Sequence, residues 1–329
     1  MPESPDRNYA LEMVRATEAA ALAAARWMGR GDKNAADQAA VNAMRLVLNT
    51  VEMDGVIVIG EGEKDHAPML FNGERLGTGS PPEVDIAVDP IDGTTLTADG
   101  GPGALAVVAI AERGTMYAPG SVVYMDKIAV GPASRGAIDI EAPVADNLAA
   151  VAKAREKDVD DLTVMILDRP RHADLIRQVR DVGARIRLIR DGDVAGSIAA
   201  AQPGTGIDIL MGIGGSPEAV LSASALKCMG GEMQCKLWPR DEAERQFALE
   251  QGLDLDQVLM IDDLVQGDNV FFAATGVTGG EYLKGISFFG TGAHTSSVVM
   301  RSRTGTIRYV EATHRWEKLM RFSIIEFDR

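Results

Sequence analysis

The sequence predicts an α/β protein in which two units share one site, and three observations support that class. From Leu162 onward three strand–loop–helix units follow one another, a succession that builds a parallel sheet with its loops gathered at one end. Two apolar strands earlier in the chain stop abruptly in clusters of acid and glycine, Gly60-Glu61-Gly62-Glu63 and Asp89-Pro90-Ile91-Asp92-Gly93-Thr94. The 329 residues contain no Pro- and Ser-rich linker and no low-complexity tract, a length that suits about two domains or one large one.

The elements follow in order. Pro5 to Met28 reads as a helix: Ser4 can cap it, Pro5 suits a first turn, and Leu11, Val14, Ala21 and Leu22 recur near a 3.6 period. After Gly29-Arg30-Gly31-Asp32-Lys33 a second helix is expected from about Ala35 to Leu48. Val56 to Ile59 is a short, wholly apolar strand. A Gly- and Pro-rich polar stretch reaches Pro82, and strands are expected at Val84 to Val88, Leu105 to Ala111 and Ser121 to Val130. In the repeating part, strand Leu162 to Leu167 meets Asp168-Arg169-Pro170-Arg171 and a helix to Val182. Strand Arg185 to Ile189 meets Asp191-Gly192-Asp193 and a helix to Ala201. Strand Ile207 to Ile213 meets Gly214-Gly215-Ser216-Pro217-Glu218 and a helix to Met229. Ligands of such sheets bind outside the carboxyl ends of the strands, where these loops lie. Asp241 to Gln251 reads as a surface helix, and Asn269 to Glu311 as strands with a hairpin turn at Arg303-Thr304-Gly305. The boundary is expected near Asp160, dividing the chain into 1–160 and 161–329.

Composition narrows the function classes. Hydrophobic residues at 46% and charged residues at 25% are the mix of a soluble globular protein. A net charge of −15 argues against nucleic acid or an anionic membrane as the main partner. It leaves room for a small anionic substrate, since local cations or bound metals reverse the sign in one cleft. The longest apolar run, Ala104 to Ala111, is far short of the ~20 residues that span a bilayer. Met1 to Asp6 lacks a basic region followed by an apolar core, so no signal peptide is expected. Cys228 and Cys235 make neither a disulfide framework nor a four-ligand zinc site, and reduced thiols in the cytoplasm are the expectation. His66, His172, His294 and His314 have no metal-ligand spacing, and neither a GxSxG elbow nor a Walker loop is present.

The chemistry concentrates at strand ends. A buried strand that delivers Asp89 and Asp92, with Pro90 stiffening the turn between them, aims two carboxylates at one point, as hard divalent cations require. An Asx-Pro turn explains either residue alone but not both. Asp92-Gly93-Thr94-Thr95 also opens a helix or tight turn whose N–H groups can hold a phosphate oxygen. Glycines on either side of Glu61 allow close approach of a ligand, against a solvent-facing acidic turn as the even alternative. Asp37, near the start of the second helix, reads as a carboxylate meeting the helix dipole, and Glu218 after Pro217 is similar but follows a glycine-rich loop. Arg169 and Arg171 bracket Pro170 at a helix start, where positive charge opposes the dipole and suggests a bound anion. Asp191 and Asp193 suit sugar hydroxyls or a plain turn.

Asp-Pro-Ile-Asp-Gly-Thr at 89–94 resembles the metal-binding signature of the lithium-sensitive sugar and inositol phosphatases. With 29–33, 58–63, Arg169-Pro170-Arg171-His172, Asp191-Gly192-Asp193-Val194 and 212–218 in order, nearly the whole chain resembles the class II bacterial fructose-1,6-bisphosphatases. The resemblance implies a layered α-β-α-β-α sandwich and hydrolysis of the 1-phosphate of fructose 1,6-bisphosphate in gluconeogenesis, by in-line attack of a metal-activated water. It implies Asp37, Glu61, Asp89, Asp92 and Glu218 as ligands of Mg²⁺ or Mn²⁺, overruling the helix-cap reading of Asp37. Asp92, Gly93 and Thr94 would surround the scissile phosphate, with Thr94 orienting water, Asp37 and Glu61 serving catalysis through the metal, and Lys33 as a nearby charge. Tyr124, Arg169, Pro170 and Arg171 would hold the distal end, and Asp191, Gly192, Asp193 and Gly215 the sugar. Homodimers or homotetramers are implied. Five converging carboxylates would otherwise repel by about 4 kcal/mol per pair at ~4 Å and an effective dielectric near 20.

The chain departs from some relatives in having Asp rather than Glu at 92, which changes the reach of that ligand by a methylene, and Arg rather than Lys at 169. The nearest rival activities are hydrolysis of sedoheptulose 1,7-bisphosphate as well, and inositol monophosphatase, which needs no distal arginines. A non-catalytic sugar-phosphate sensor is the alternative from another class.

Overall fold

Strict alternation along the strands lets one sheet face two cores. In the strand Leu105–Glu112, Leu105, Val107, Ala109 and Ala111 pack to one side, and Ala106, Val108 and Ile110 to the other. Neither face is left to water, so the run reads as uniformly apolar. The structure, a computed structural model, describes residues 8–60, 70–118, 120 and 122–319.

The chain begins with α1 (Ala10–Ala25), α2 (Lys33–Leu48), β1 (Asp54–Ile59), β2 (Arg75–Leu76), β3 (Glu83–Asp92), α3 (Thr94–Asp99) and β4 (Leu105–Glu112). It continues through β5 (Tyr124–Val130), α4 (Val144–Ala154), β6 (Thr163–Leu167), α5 (Ala173–Val182), β7 (Arg185–Ile189), α6 (Asp193–Ala201), β8 (Ile209–Gly215) and α7 (Ser216–Met229). Then come β9 (Glu232–Leu237), α8 (Glu242–Glu250), β10 (Leu259–Met260), α9 (Ile261–Leu264), β11 (Phe271–Gly276), β12 (Ser287–Phe289), β13 (Gly292–Arg301), β14 (Thr306–Arg315) and α10 (Trp316–Leu319).

Two sheets result. The first has the order β12-β13-β11-β4-β3-β1-β2, with β14 paired to β13; among the described residues only β1 and β3 run parallel in it. The second has the order β10-β9-β5-β8-β6-β7. The three repeating strands β7, β6 and β8 lie together and parallel, as the sequence predicts. The other pairings of that sheet are antiparallel. Its strands come from residues 124–260, while the first sheet takes strands from both sides of that stretch. Residue 160 lies within the second sheet's stretch.

Helices and sheets alternate in five layers. α1 and α2 cover the outer face of the first sheet, where Met13, Leu22, Val41 and Met44 meet Ile86, Val108 and Phe271. α6 and α7 lie between the sheets, touching β3 of the first and β5 and β8 of the second. α4 and α5 cover the far side, with Leu148, Val151 and Val179 against Ile128, Val164 and Ile209. α1 and α7 are buried along most of their length and are accordingly built on small residues, Ala in α1 and Ala and Ser in α7. Besides the short β2, β10, α9 and α10, two elements have no counterpart in the sequence reading, α4 and β9.

Candidate active site

β3 supplies two carboxylates. Residues three apart on a regular strand face opposite sides, yet Asp89 and Asp92 line the same cleft. The register against β4 explains this: Asp89 pairs with Val107 and Asp92 with Leu105, so Pro90 and Ile91 together oppose one residue. The bulge turns Ile91 into the α1–α2 core and returns Asp92 to the side of Asp89. Asp89 Oδ1 accepts the Ile91 N–H at 2.9 Å, bracing the bulge. Gly93 then takes φ +100°, which a side chain would resist, and α3 opens with Thr94. The Thr94 hydroxyl donates to the Ile91 carbonyl at 3.2 Å.

α6 and α3 are tied together by the aspartates that precede them. Asp191 Oδ2 accepts the Thr95 N–H at 3.2 Å, and Asp92 Oδ2 accepts the Ala195 N–H at 3.1 Å. The Thr95 N–H is therefore occupied by Asp191, although the sequence marks it as free to bind phosphate. Lys33, the first residue of α2, donates from Nζ to Thr95 Oγ1 at 2.9 Å.

The glycine-rich end of β8 brings in Glu218. Pro217 sits in the first turn of α7, where its missing N–H costs nothing, and Glu218 follows. A Cβ on Gly214 would overlap Asp193 Oδ2, and one on Gly215 would overlap Glu218 Oε2. These two glycines let the carboxylates lie flat against the strand.

Opposite stand the cations. Arg171 donates from Nε and Nη2 to the Ile213 carbonyl at 3.3 and 2.8 Å, and its guanidinium lies 4.8 Å from the Tyr124 ring centre. Arg169 Nη2 is 3.6 Å from Asp191 Oδ1. Pro170 starts the single tight turn between them. His172 anchors that turn: its Nε2 accepts the Ile213 N–H at 2.8 Å, so Nδ1 carries the proton and donates to the Leu167 carbonyl at 2.6 Å. Burial lowers the His172 pKa, keeping it neutral.

One cleft of about 300 Å³ is lined by Asp89, Asp92, Gly93, Thr94, Tyr124, Arg169, Arg171, Asp191, Gly192, Asp193, Gly215 and Glu218, while Lys33, Pro170 and His172 are not among its lining. Asp37 is not among its lining. It is buried on α2, and because that helix begins at Lys33, Asp37 lies past the first turn, where a cap or dipole role no longer accounts for it. Glu61, with Gly62 and Glu63, lies outside the described residues.

The electrostatics suit a bound cation. Burial raises the carboxyl pKa of Asp92 well above its ordinary value, and Asp193, Glu218 and Asp191 raise it further. Glu218 is raised by burial and by Asp193, with Lys127 opposing, and burial raises Asp37. Asp37 Oδ1 and Glu218 Oε2 are buried without hydrogen-bond partners, unusual for polar atoms of a native interior. Such oxygens fit a hard cation. Among the described residues, no three acidic, histidine or cysteine side chains already converge on one point.

Sequence reasoning missed Lys127. It stands in β5 with its side chain fully buried, donating to Asp193 Oδ2 at 2.6 Å. Its signal was a lone lysine on the face of a strand shared with Met125 and Ala129.

Residues 7–314 match the family model described as bacterial fructose-1,6-bisphosphatase, glpX-encoded. The chain is 45% identical to the D-fructose 1,6-bisphosphatase class 2/sedoheptulose 1,7-bisphosphatase of Synechococcus sp. (strain JA-3-3Ab), over 94% of this chain and 96% of that one. It is 46% identical to the fructose-1,6-bisphosphatase class 2 of Haemophilus influenzae, with the same coverage. It is 47% identical to the fructose-1,6-bisphosphatase 1 class 2 of Escherichia coli (strain K12), over 94% of this chain and 95% of the relative.

Proposed function

The chain belongs to the glpX-encoded bacterial fructose-1,6-bisphosphatase family and is a class 2 hydrolase of fructose 1,6-bisphosphate; on that premise we propose how its cleft divides the work. The family requires a divalent metal. Asp37, Glu61, Asp89, Asp92 and Glu218 would hold it, as Mg²⁺ or Mn²⁺, and the unpartnered buried oxygens of Asp37 and Glu218 support that assignment. A bound divalent ion neutralises phosphate charge and acidifies a coordinated water.

The chain's own groups do the rest. With its proton engaged by the Ile91 carbonyl, Thr94 presents an acceptor oxygen that can hold and aim a water toward the 1-phosphate, with no phospho-threonine intermediate. Asp92, Gly93 and Thr94 border that phosphate, with Lys33 as supporting charge. Arg169, Pro170, Arg171 and Tyr124 receive the 6-phosphate, since arginine pairs with phosphate through two donors at once. Asp191, Gly192, Asp193 and Gly215 receive the sugar.

The observation that carries this reading is that the acidic strand ends and the Arg169–Arg171 turn border one cleft. Phosphate release tests it, with Mn²⁺ or Mg²⁺, with and without chelator, from fructose 1,6-bisphosphate and from inositol 1-phosphate. Metal-dependent release from the bisphosphate alone supports it; release from inositol phosphate alone overturns the role of the arginines. The Synechococcus relative favours a second activity, on sedoheptulose 1,7-bisphosphate, which the ratio of kcat/KM for the two bisphosphates decides. We place the enzyme in the cytoplasm as a homodimer or homotetramer, its two buried free thiols being compatible with a reducing compartment.

A further inference from the structure

Strand β5 carries a cation into the dry layer between the sheets. Lys127 is 1% exposed, and its neighbours on the same strand face, Met125 and Ala129, belong to the inter-sheet core. An ammonium in such a place is tolerated only when it is paired. Its partner is Asp193, at 2.6 Å from Nζ to Oδ2, the first residue of α6 and part of the cleft wall. β8 closes over the pair: a Cβ on Gly214 would overlap Asp193 Oδ2 and lie 3.0 Å from Lys127 Nζ. Glu218 also borders the cleft, yet its Oε2 has no partner. Of these two neighbouring acids, one is neutralised by the protein and the other is left for a cation.

We propose that Lys127 is a positioning residue that sorts the carboxylates of the cleft, fixing Asp193 for the sugar and withholding its charge from the metal ligands. A buried ion pair adds little net stability over apolar residues of like volume. What it contributes here is placement. Without Lys127 the site holds one more uncompensated negative charge, and Asp193 loses the contact that aims it.

The inference rests on the metal assignment proposed above, and calorimetric titration of substrate-free enzyme with Mn²⁺ separates the two. Wild-type enzyme that binds no Mn²⁺ overturns that assignment and this inference with it. With wild-type binding established, Lys127→Met should bind Mn²⁺ roughly tenfold more tightly, because a nearby positive charge is gone. Its KM for fructose 1,6-bisphosphate should rise roughly tenfold, the loss of one oriented polar contact. Opposite movements of the two constants are not what general damage to packing produces. Adding Asp193→Asn to Lys127→Met should return Mn²⁺ affinity to the wild-type value without restoring KM. Lys127→Gln, which keeps a donor but no charge, covers the case in which the methionine variant does not fold; it should tighten Mn²⁺ binding while moving KM less. Unchanged or weakened Mn²⁺ binding in the folded variants overturns the proposal.

Discussion

Asp92 Oδ2 accepts the Ala195 N–H at 3.1 Å, so a carboxylate ending a strand of the first sheet caps a helix that follows a strand of the second. Asp191 returns the bond to α3 through Thr95. Both N–H groups lie in first helical turns, where donors lack intrahelical partners. The two halves of the site are thereby fixed to one another by residues that also face the cleft.

Asp92→Asn should separate chemistry from stability. The amide oxygen can still accept from Ala195, while the repulsion with Asp193 and Glu218 is gone. In chelator, differential scanning fluorimetry should show Tm unchanged or higher by ~2 °C, the size of a sub-kcal/mol gain in a chain this long. Phosphate release should fall at least ~100-fold, as expected when a positioned charge is removed from an active site.

Metal and pH should act in opposite senses on stability. Asp92, Glu218 and Asp37 have raised pKa values, so their folded forms hold protons that the unfolded chain releases near pH 4. Their favourable contribution is present below that range and is lost as pH rises through the folded values. In chelator, urea midpoints should therefore gain less, or decline, above the ordinary carboxylate range. Saturating Mn²⁺, which binds the deprotonated forms, should reverse that trend and add about 2.7 kcal/mol at a hundredfold excess over Kd.

The sequence made some of this readable and not the rest, for physical reasons. β3 and the repeating units were legible because their apolar runs end in residues with distinctive turn chemistry. The bulge at Pro90-Ile91 was not: the convergence of Asp89 and Asp92 was legible as a proline turn after a strand ending at Val88, but not that the strand runs on to Asp92. The pairing of β4 with β11 joins Leu105 to Gly276, a contact no local period encodes. β9 alternates Met233, Cys235 and Leu237 inward, but Gln234 is buried too, with its amide on the Ile138 carbonyl, which blurs the pattern. Asp37 showed a helix position and nothing of its unpartnered oxygen. Lys127 showed a charge in a strand, which on sequence alone reads as solvent-facing.

His172 should set part of the acid sensitivity. Neutral in the folded state with a lowered pKa, it faces Arg171, Arg169 and Asp126, and the unfolded residue takes a proton near pH 6.5. Its contribution is full above ~6.5 and is lost as pH falls toward the folded value. His172→Gln should have a flatter decline of urea midpoint below pH 6.5 than wild type. It should also have a raised KM, because the Arg171 turn loses its hold on Ile213.

The thiols should be silent. Burial pushes both Cys228 and Cys235 up to about 12, and the thiolate is the reactive form. Ellman's reagent should label them slowly in folded enzyme and at once in urea, and activity should not differ between oxidising and reducing buffer.

The central claim is that one cleft grips a bisphosphate by both ends. The most direct measurement compares kcat/KM for fructose 1,6-bisphosphate and fructose 1-phosphate in wild type and in the Arg169→Ala/Arg171→Ala variant. Wild type should prefer the bisphosphate by roughly 100-fold or more, the effect of two charge-assisted contacts, and the variant should lose most of that preference through KM. A preference that survives both substitutions would contradict the account, because the distal phosphate would then be held elsewhere.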